Sequence, residues 1–186
     1  MSHILLWSPV GRPGAEYCVV TRTSEGWLMR GSVIAVADGG RPLRVEYQIT
    51  CDGAWRTRSV RIATGSGAAE PRFLRLTVKD GQWQTPTGGR ADLQGCVDVD
   101  LGITPATNTL PIRRLDLAVG ASAEVTAAWV RFPSLEIRPL GQIYTRLDER
   151  TYRYESDTGF RAEIVVDEDG FVVTYPDGWE RYLPTT

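Results

Sequence analysis

The sequence predicts an all-β protein, a sandwich, roll or barrel built largely of antiparallel hairpins, with little helix. Three observations predict it. Apolar residues recur at every second position far more often than at every third or fourth, which is the period of half-buried strands rather than of amphipathic helices. Asp-Gly pairs punctuate these runs, at Asp38-Gly39, Asp52-Gly53, Asp80-Gly81, Asp169-Gly170 and Asp177-Gly178, where hairpins need a residue at positive φ. About ten to twelve short strands separated by such turns imply a sandwich, roll or barrel built largely of hairpins.

Residues 1–15 are expected to be frayed or peripheral. Their apolar run, Ile4 to Trp7, is short and has no basic region ahead of it, so it is not read as a secretion signal and the chain is expected to be cytoplasmic. From Val45 to Cys51, one face is Val45, Tyr47, Ile49 and Cys51 and the other is Glu46, Gln48 and Thr50. Gly65 to Pro71 reads as a flexible surface loop. Phe73 to Lys79 alternates again, with Leu74, Leu76 and Val78 opposite Arg75, Thr77 and Lys79. A strand from Cys96 to Leu101 would put Asp98 and Asp100 on one face. Leu101 to Pro111, rich in Thr, Asn and Pro, reads as an ordered, partly buried connection. Pro111 to Leu117 is expected to return as a strand.

Only Ala118 to Val130 is a candidate for helix, and its Gly120 and the run Val125 to Phe132 fit a loop followed by a strand at least as well. Gln142 to Arg146 and Thr151 to Glu155 are short strands, the second placing Tyr152 and Tyr154 together. The clearest hairpin joins Ala162–Val166 to Phe171–Tyr175 through Asp167-Glu168-Asp169-Gly170. Its nearly continuous apolar runs suggest burial on both faces.

The 186 residues suit one domain, 1–186, long enough to bury roughly 70% of the extended chain's surface. Lys+Arg is 21 and Asp+Glu is 23, a net charge of −2, so the electrostatic footprint of a nucleic-acid binder is missing. The one histidine, His3, leaves most His-dependent catalysis without its central residue. Cys18, Cys51 and Cys96 form no Cys-x-x-Cys pair and are expected to be reduced, semi-buried packing residues. No metal site, cofactor or membrane span is expected. Gly65-Ser66-Gly67 lacks the spacing of a nucleophile elbow, and phosphate-loop and dinucleotide fingerprints are missing, so no catalytic residue is assigned.

Two constellations could carry chemistry. Asp98 and Asp100 with Arg113 and Arg114 would be a polar anchor inside a cavity, or a set of charges that neutralise one another and lock the connection between them. Six Trp and seven Tyr are the other, with Trp55 close to Asp52 and Arg58. Such rings can line a slot for an acyl chain or a sugar face, or simply fill a wide β-core.

The block Asp92 to Pro105 running into Thr107-Asn108-Thr109-Leu110-Pro111-Ile112-Arg113-Arg114-Leu115 resembles the bacterial family labelled "putative glycolipid-binding", earlier a domain of unknown function. Other pieces match it in the same order: Val45-Glu46-Tyr47 with Asp52, Trp55 and Arg58; Gln142 to Thr145; Tyr152 to Glu155; Asp167 to Gly170 with Tyr175-Pro176. The likeness covers roughly Trp27 to Tyr182. It implies a single strongly curved antiparallel sheet forming a roll or open barrel that closes on itself around an apolar interior, similar to bacterial carriers of lipidated proteins. Ala106 stands where a larger aromatic is expected, which implies a differently shaped ligand if that position lines the cavity.

The function expected is therefore non-enzymatic binding of an amphiphilic or hydrophobic small molecule in an interior cavity, a glycolipid being one candidate. The ligand-binding candidates are Asp98, Asp100, Asn108, Arg113, Arg114, Trp55, Arg58, Tyr144, Tyr152 and Tyr154. Two alternatives stay open: a barrel-type enzyme using Asp, Tyr and Arg as acid-base groups on a hydrophobic substrate, and a scaffold protein with a filled core.

Overall fold

A computed structural model describes residues 1–37, 39–65 and 70–182. Asp38 of the first Asp-Gly pair, and 66–69 of the loop expected at Gly65 to Pro71, lie outside the described residues. The first eight strands are β1 (Ser2–Pro9), β2 (Ala15–Thr23), β3 (Gly26–Ala37), β4 (Arg41–Cys51), β5 (Thr57–Gly65), β6 (Arg72–Lys79), β7 (Gln82–Thr85) and β8 (Gly88–Gly89). The second group is β9 (Asp98–Leu101), β10 (Ser122–Val130), β11 (Ile137–Arg146), β12 (Thr151–Ser156), β13 (Arg161–Val166), β14 (Val172–Tyr175) and β15 (Trp179–Arg181). Among the described residues the one α-helix is α1 (Thr109–Leu115), with 3-10 turns at Ala91–Leu93 and Ala106–Asn108.

All fifteen strands form one sheet, in the order β8-β7-β6-β5-β4-β3-β2-β1-β15-β14-β13-β12-β11-β10-β9. Neighbours are antiparallel except the parallel pair of β9 and β10. Two hairpin meanders thus meet where β1 pairs with both β2 and β15. The all-β class stands, with fifteen strands where ten to twelve were expected. Residues 1–15 correct the expectation of a frayed segment: β1 occupies the middle of the sheet, and Trp7 is buried with its Nε1 donating to the Val172 carbonyl at 2.9 Å. Among the described residues hydrogen bonding does not close the sheet, and β8 and β9 are its two ends.

Turn chemistry is clearest between β6 and β7. Asp80 (φ +50°) and Gly81 (φ +74°) both take the left-handed conformation that a two-residue hairpin requires, setting Lys79 opposite Gln82. Asp52-Gly53 works differently. Asp52 Oδ1 accepts the N–H groups of Ala54 and Arg56 at 3.0 Å each, and Trp55 takes the positive φ.

Leu101 to Pro111 is an ordered connection, as its composition suggested, with Thr104, Ala106, Thr107 and Thr109 buried. The strand expected from Pro111 to Leu117 is instead helical. Pro111 falls in the first turn of α1, where a missing N–H costs no intrahelical bond, and Asp116 (φ +42°) ends the helix.

One face of the sheet forms a single continuous core. Trp7, Val20, Met29, Val45, Ile49, Leu76 and Trp83 from the first group join Leu93, Val99, Leu101, Leu110, Val130, Tyr144, Ile164 and Trp179 from the second. Cross-links fix this arrangement. Val99 N donates to Thr57 Oγ1 at 3.1 Å, Trp83 Nε1 to the Cys96 carbonyl at 2.9 Å, and Arg90 to the Ile137 carbonyl at 2.9 Å.

Candidate functional site

The ten residues singled out from the sequence do not converge on one pocket. Asp98 on β9 and Arg114 on α1 form a buried ion pair, with Arg114 Nε 3.0 Å from Asp98 Oδ1. Arg113 leaves this pair and lies over the Trp55 ring, its guanidinium carbon 5.7 Å from the ring centroid. Trp55 is itself buried and stacked on Trp27 at 4.4 Å. Arg58 pairs with Asp52 at 2.8 Å on the rim of another surface hollow, and Tyr152 lies under Arg146.

Asp100, Asn108 and Tyr154 do come together, around a cavity of about 390 Å³ that Trp129, Tyr175 and Thr104 help to line. Asp100 Oδ2 accepts from Gln142 Nε2 at 2.6 Å, and the same amide nitrogen is 3.1 Å from the Tyr154 hydroxyl. Burial pushes the Asp100 carboxyl up to about 6, against the opposing effect of hydrogen bonds from Gln142 and Thr107. Tyr144 is fully buried and donates to Asn108 Oδ1 at 2.9 Å. Ala106 packs in the core and lines none of these cavities, so its small size fills no binding role here.

The larger opening lies on the other face of the sheet, and none of the ten residues touches it. It measures about 920 Å³ and spans β2 to β6. The strand register lays its side chains out in parallel rows. One row reads Leu6, Tyr17, Ser32, Glu46, Ala63, Phe73 from β1 to β6. The next, two residues along each strand, reads Ile4, Val19, Arg30, Gln48, Arg61, Arg75. Phe73 is 76% exposed and Tyr17 49% exposed, so the apolar members of these rows face solvent. Glu46 is engaged within its row, accepting from Ser32 Oγ at 2.7 Å and from Arg44 Nε at 2.8 Å.

Beneath this groove is a buried carboxyl that sequence reasoning missed. Glu16, on β2, accepts from the Tyr47 hydroxyl at 2.5 Å and from Thr104 Oγ1 at 2.6 Å, with no cation beside it among the described residues. Tyr47 can lie there because Gly31 stands opposite: a Cβ on Gly31 would come within 2.2 Å of the Tyr47 ring. Desolvation pushes Glu16 up to about 7, with the Thr104 and Tyr47 hydrogen bonds working against it. The pattern Ala15-Glu16-Tyr17-Cys18 carries the signal in hindsight, since Glu16 shares a strand face with Cys18 and Val20.

The family described as "Putative glycolipid-binding" matches residues 4–181. The chain is 33% identical to a DUF1089 family protein from Pseudomonas aeruginosa, covering 90% of this chain and 92% of that one with a TM-score of 0.81. A beta-barrel-like protein of the domain of unknown function DUF1849, from Brucella abortus, shares the fold at 10% identity, 97% coverage of both chains and a TM-score of 0.56. Among curated proteins, none matches in sequence.

Proposed function

The chain belongs to the family described as "Putative glycolipid-binding", and from that premise we propose that it binds an amphiphile, with the apolar part of the ligand lying in the groove across β2 to β6. One observation carries the reading. Phe73 beside Ala63, and Tyr17 beside Val19 and Leu28, form two apolar clusters on the outer face of the sheet with Ser32 and Glu46 between them, and Phe73 and Tyr17 are open to solvent. A volume of about 920 Å³ suits a small-molecule site.

We also infer that the sheet wraps round far enough to act as a roll. Only residues 90–97 separate β8 from β9, a link that reaches no more than about 32 Å when extended. Fifteen strands laid flat would hold those ends almost 70 Å apart, at about 4.8 Å per strand. Among the described residues no helix is long and apolar enough to cross a membrane.

The experiment is calorimetric titration with neutral alkyl glucosides of increasing chain length. Each buried methylene contributes about 0.8 kcal/mol, so affinity should rise roughly fourfold per carbon until the groove is full. Affinity independent of chain length would refute the reading. Phe73→Asp should weaken binding without unfolding the chain, because the side chain is exposed.

A second reading puts a polar head in the smaller cavity, and one observation favours it: Asp100, Asn108 and Tyr154 offer hydrogen-bonding groups there beside the stacked rings of Phe160 and Tyr175. Loss of glucoside binding in Tyr154→Phe, with Phe73→Asp unaffected, would move the ligand to that site.

A further inference from the structure

The groove's second row carries three arginines, Arg61 and Arg75 adjacent and Arg30 beyond Gln48, with no acid paired to them among the described residues. Arg30, Arg61 and Arg75 all line the groove, and among the described residues none of them forms an ion pair. Exposed Arg44, Arg58, Arg131, Arg138 and Arg161 each stand beside a carboxylate, while Arg12, Arg22, Arg56 and Arg72, exposed at scattered positions outside this row, form no ion pair among the described residues. The one carboxylate in the groove, Glu46, is already held by Arg44 and Ser32.

The register makes the arrangement more pointed. Arg61 lies directly opposite Arg75 on the neighbouring strand, a like-charge pairing that works against the sheet. Arg30 is in the same row two strands away, with Gln48 between, so its backbone is about 10 Å from that of Arg61. Side chains of this length can converge on one group. A guanidinium is a planar fork that matches the oxygens of carboxylate or phosphate, and one fork suffices for one carboxylate. Three forks in one row fit a group with more charge and more acceptor oxygens.

We propose that Arg30, Arg61 and Arg75 bind the phosphate of a phosphorylated amphiphile whose chain lies along the adjacent row of Tyr17, Ala63 and Phe73. The two rows are about 7 Å apart, two residues along each strand, which sets head and chain side by side. The proposal rests on the amphiphile reading of the groove and adds the chemistry of the head.

The test compares three probes on the full chain at low salt: n-decyl phosphate below its micellar concentration, n-decyl glucoside, and inorganic phosphate. Decyl phosphate should bind on the order of tenfold or more tightly than decyl glucoside, consistent with charge-assisted hydrogen bonds. Added salt should erode that advantage. The double variant Arg61→Gln/Arg75→Gln should abolish it while melting at the same or a higher temperature, because a repulsive pair has been removed. Arg138→Gln, on β11 away from the groove, should leave it intact. Equal affinity for decyl phosphate and decyl glucoside would overturn the proposal and leave the amphiphile reading standing. Inorganic phosphate binding as tightly as decyl phosphate would overturn it by showing an anion site to which the chain adds nothing. No binding of either decyl probe would overturn both.

Discussion

Glu16 shows how one residue can set the pH response of the whole chain. Its carboxyl is buried with no cation beside it among the described residues, and desolvation pushes it up to about 7 in the folded state, against 4.5 for an ordinary glutamate. Between those values the folded chain holds a proton that the unfolded chain releases, so stability falls as pH rises through the window. Asp100, raised to about 6 from 3.8, acts in the same direction. Chemical denaturation should therefore give a chain more stable at pH 5 than at pH 8, by a few kcal/mol. Glu16→Gln keeps the shape, removes the charge and should flatten most of that slope. A slope unchanged in the variant would mean that Glu16 is ionised throughout, held by groups other than Tyr47 and Thr104. The carboxyl was hard to foresee because its partners are far away in sequence: Tyr47 is 31 residues along and Thr104 is 88.

At the scale of elements, α1 depends on its tertiary contacts, because its seven residues are too few to be stable alone. Leu110 and Ile112 bury its apolar side, and Arg114 ties it to β9 through Asp98. Arg114→Met should cost about 3–5 kcal/mol in denaturation, since it leaves the Asp98 charge buried and unpaired. Replacing both partners with apolar residues should recover most of the loss, which a simple packing defect would not. The sequence set Asp98 and Arg114 in one polar cluster but assigned α1 as a strand, because Ile112 and Arg113 also fit an alternating pattern. Strands β4, β6, β11 and β12 were legible from their period-two alternation. The first two strands were not. In β1 and β2 the outward residues Ile4, Leu6, Tyr17 and Val19 are as apolar as the inward Leu5, Trp7, Cys18 and Val20, so the alternation disappears. That loss of pattern was itself the trace of the groove, and it went unread.

For the whole molecule, the chain order explains why one face is closed and the other available. Two meanders meet at β1 and share one core on the inner face, where Trp7, Trp83, Leu101 and Ile164 leave little solvent access. Buried residues such as Tyr144 and Asp98, prominent in the sequence, hold this core together, and the larger opening lies on the outer face of β2 to β6. Apolar strand faces and abundant aromatic residues lead from the sequence to an interior cavity for the ligand, whereas the function proposed above uses an outward groove lined by apolar side chains and arginines. The most direct measurement is a crystal structure of the chain with n-decyl phosphate bound. The account predicts the alkyl chain against Tyr17, Ala63 and Phe73 with the phosphate among Arg30, Arg61 and Arg75; an alkyl chain inside the cavity of Asp100, Asn108 and Tyr154, with the groove empty, would contradict it.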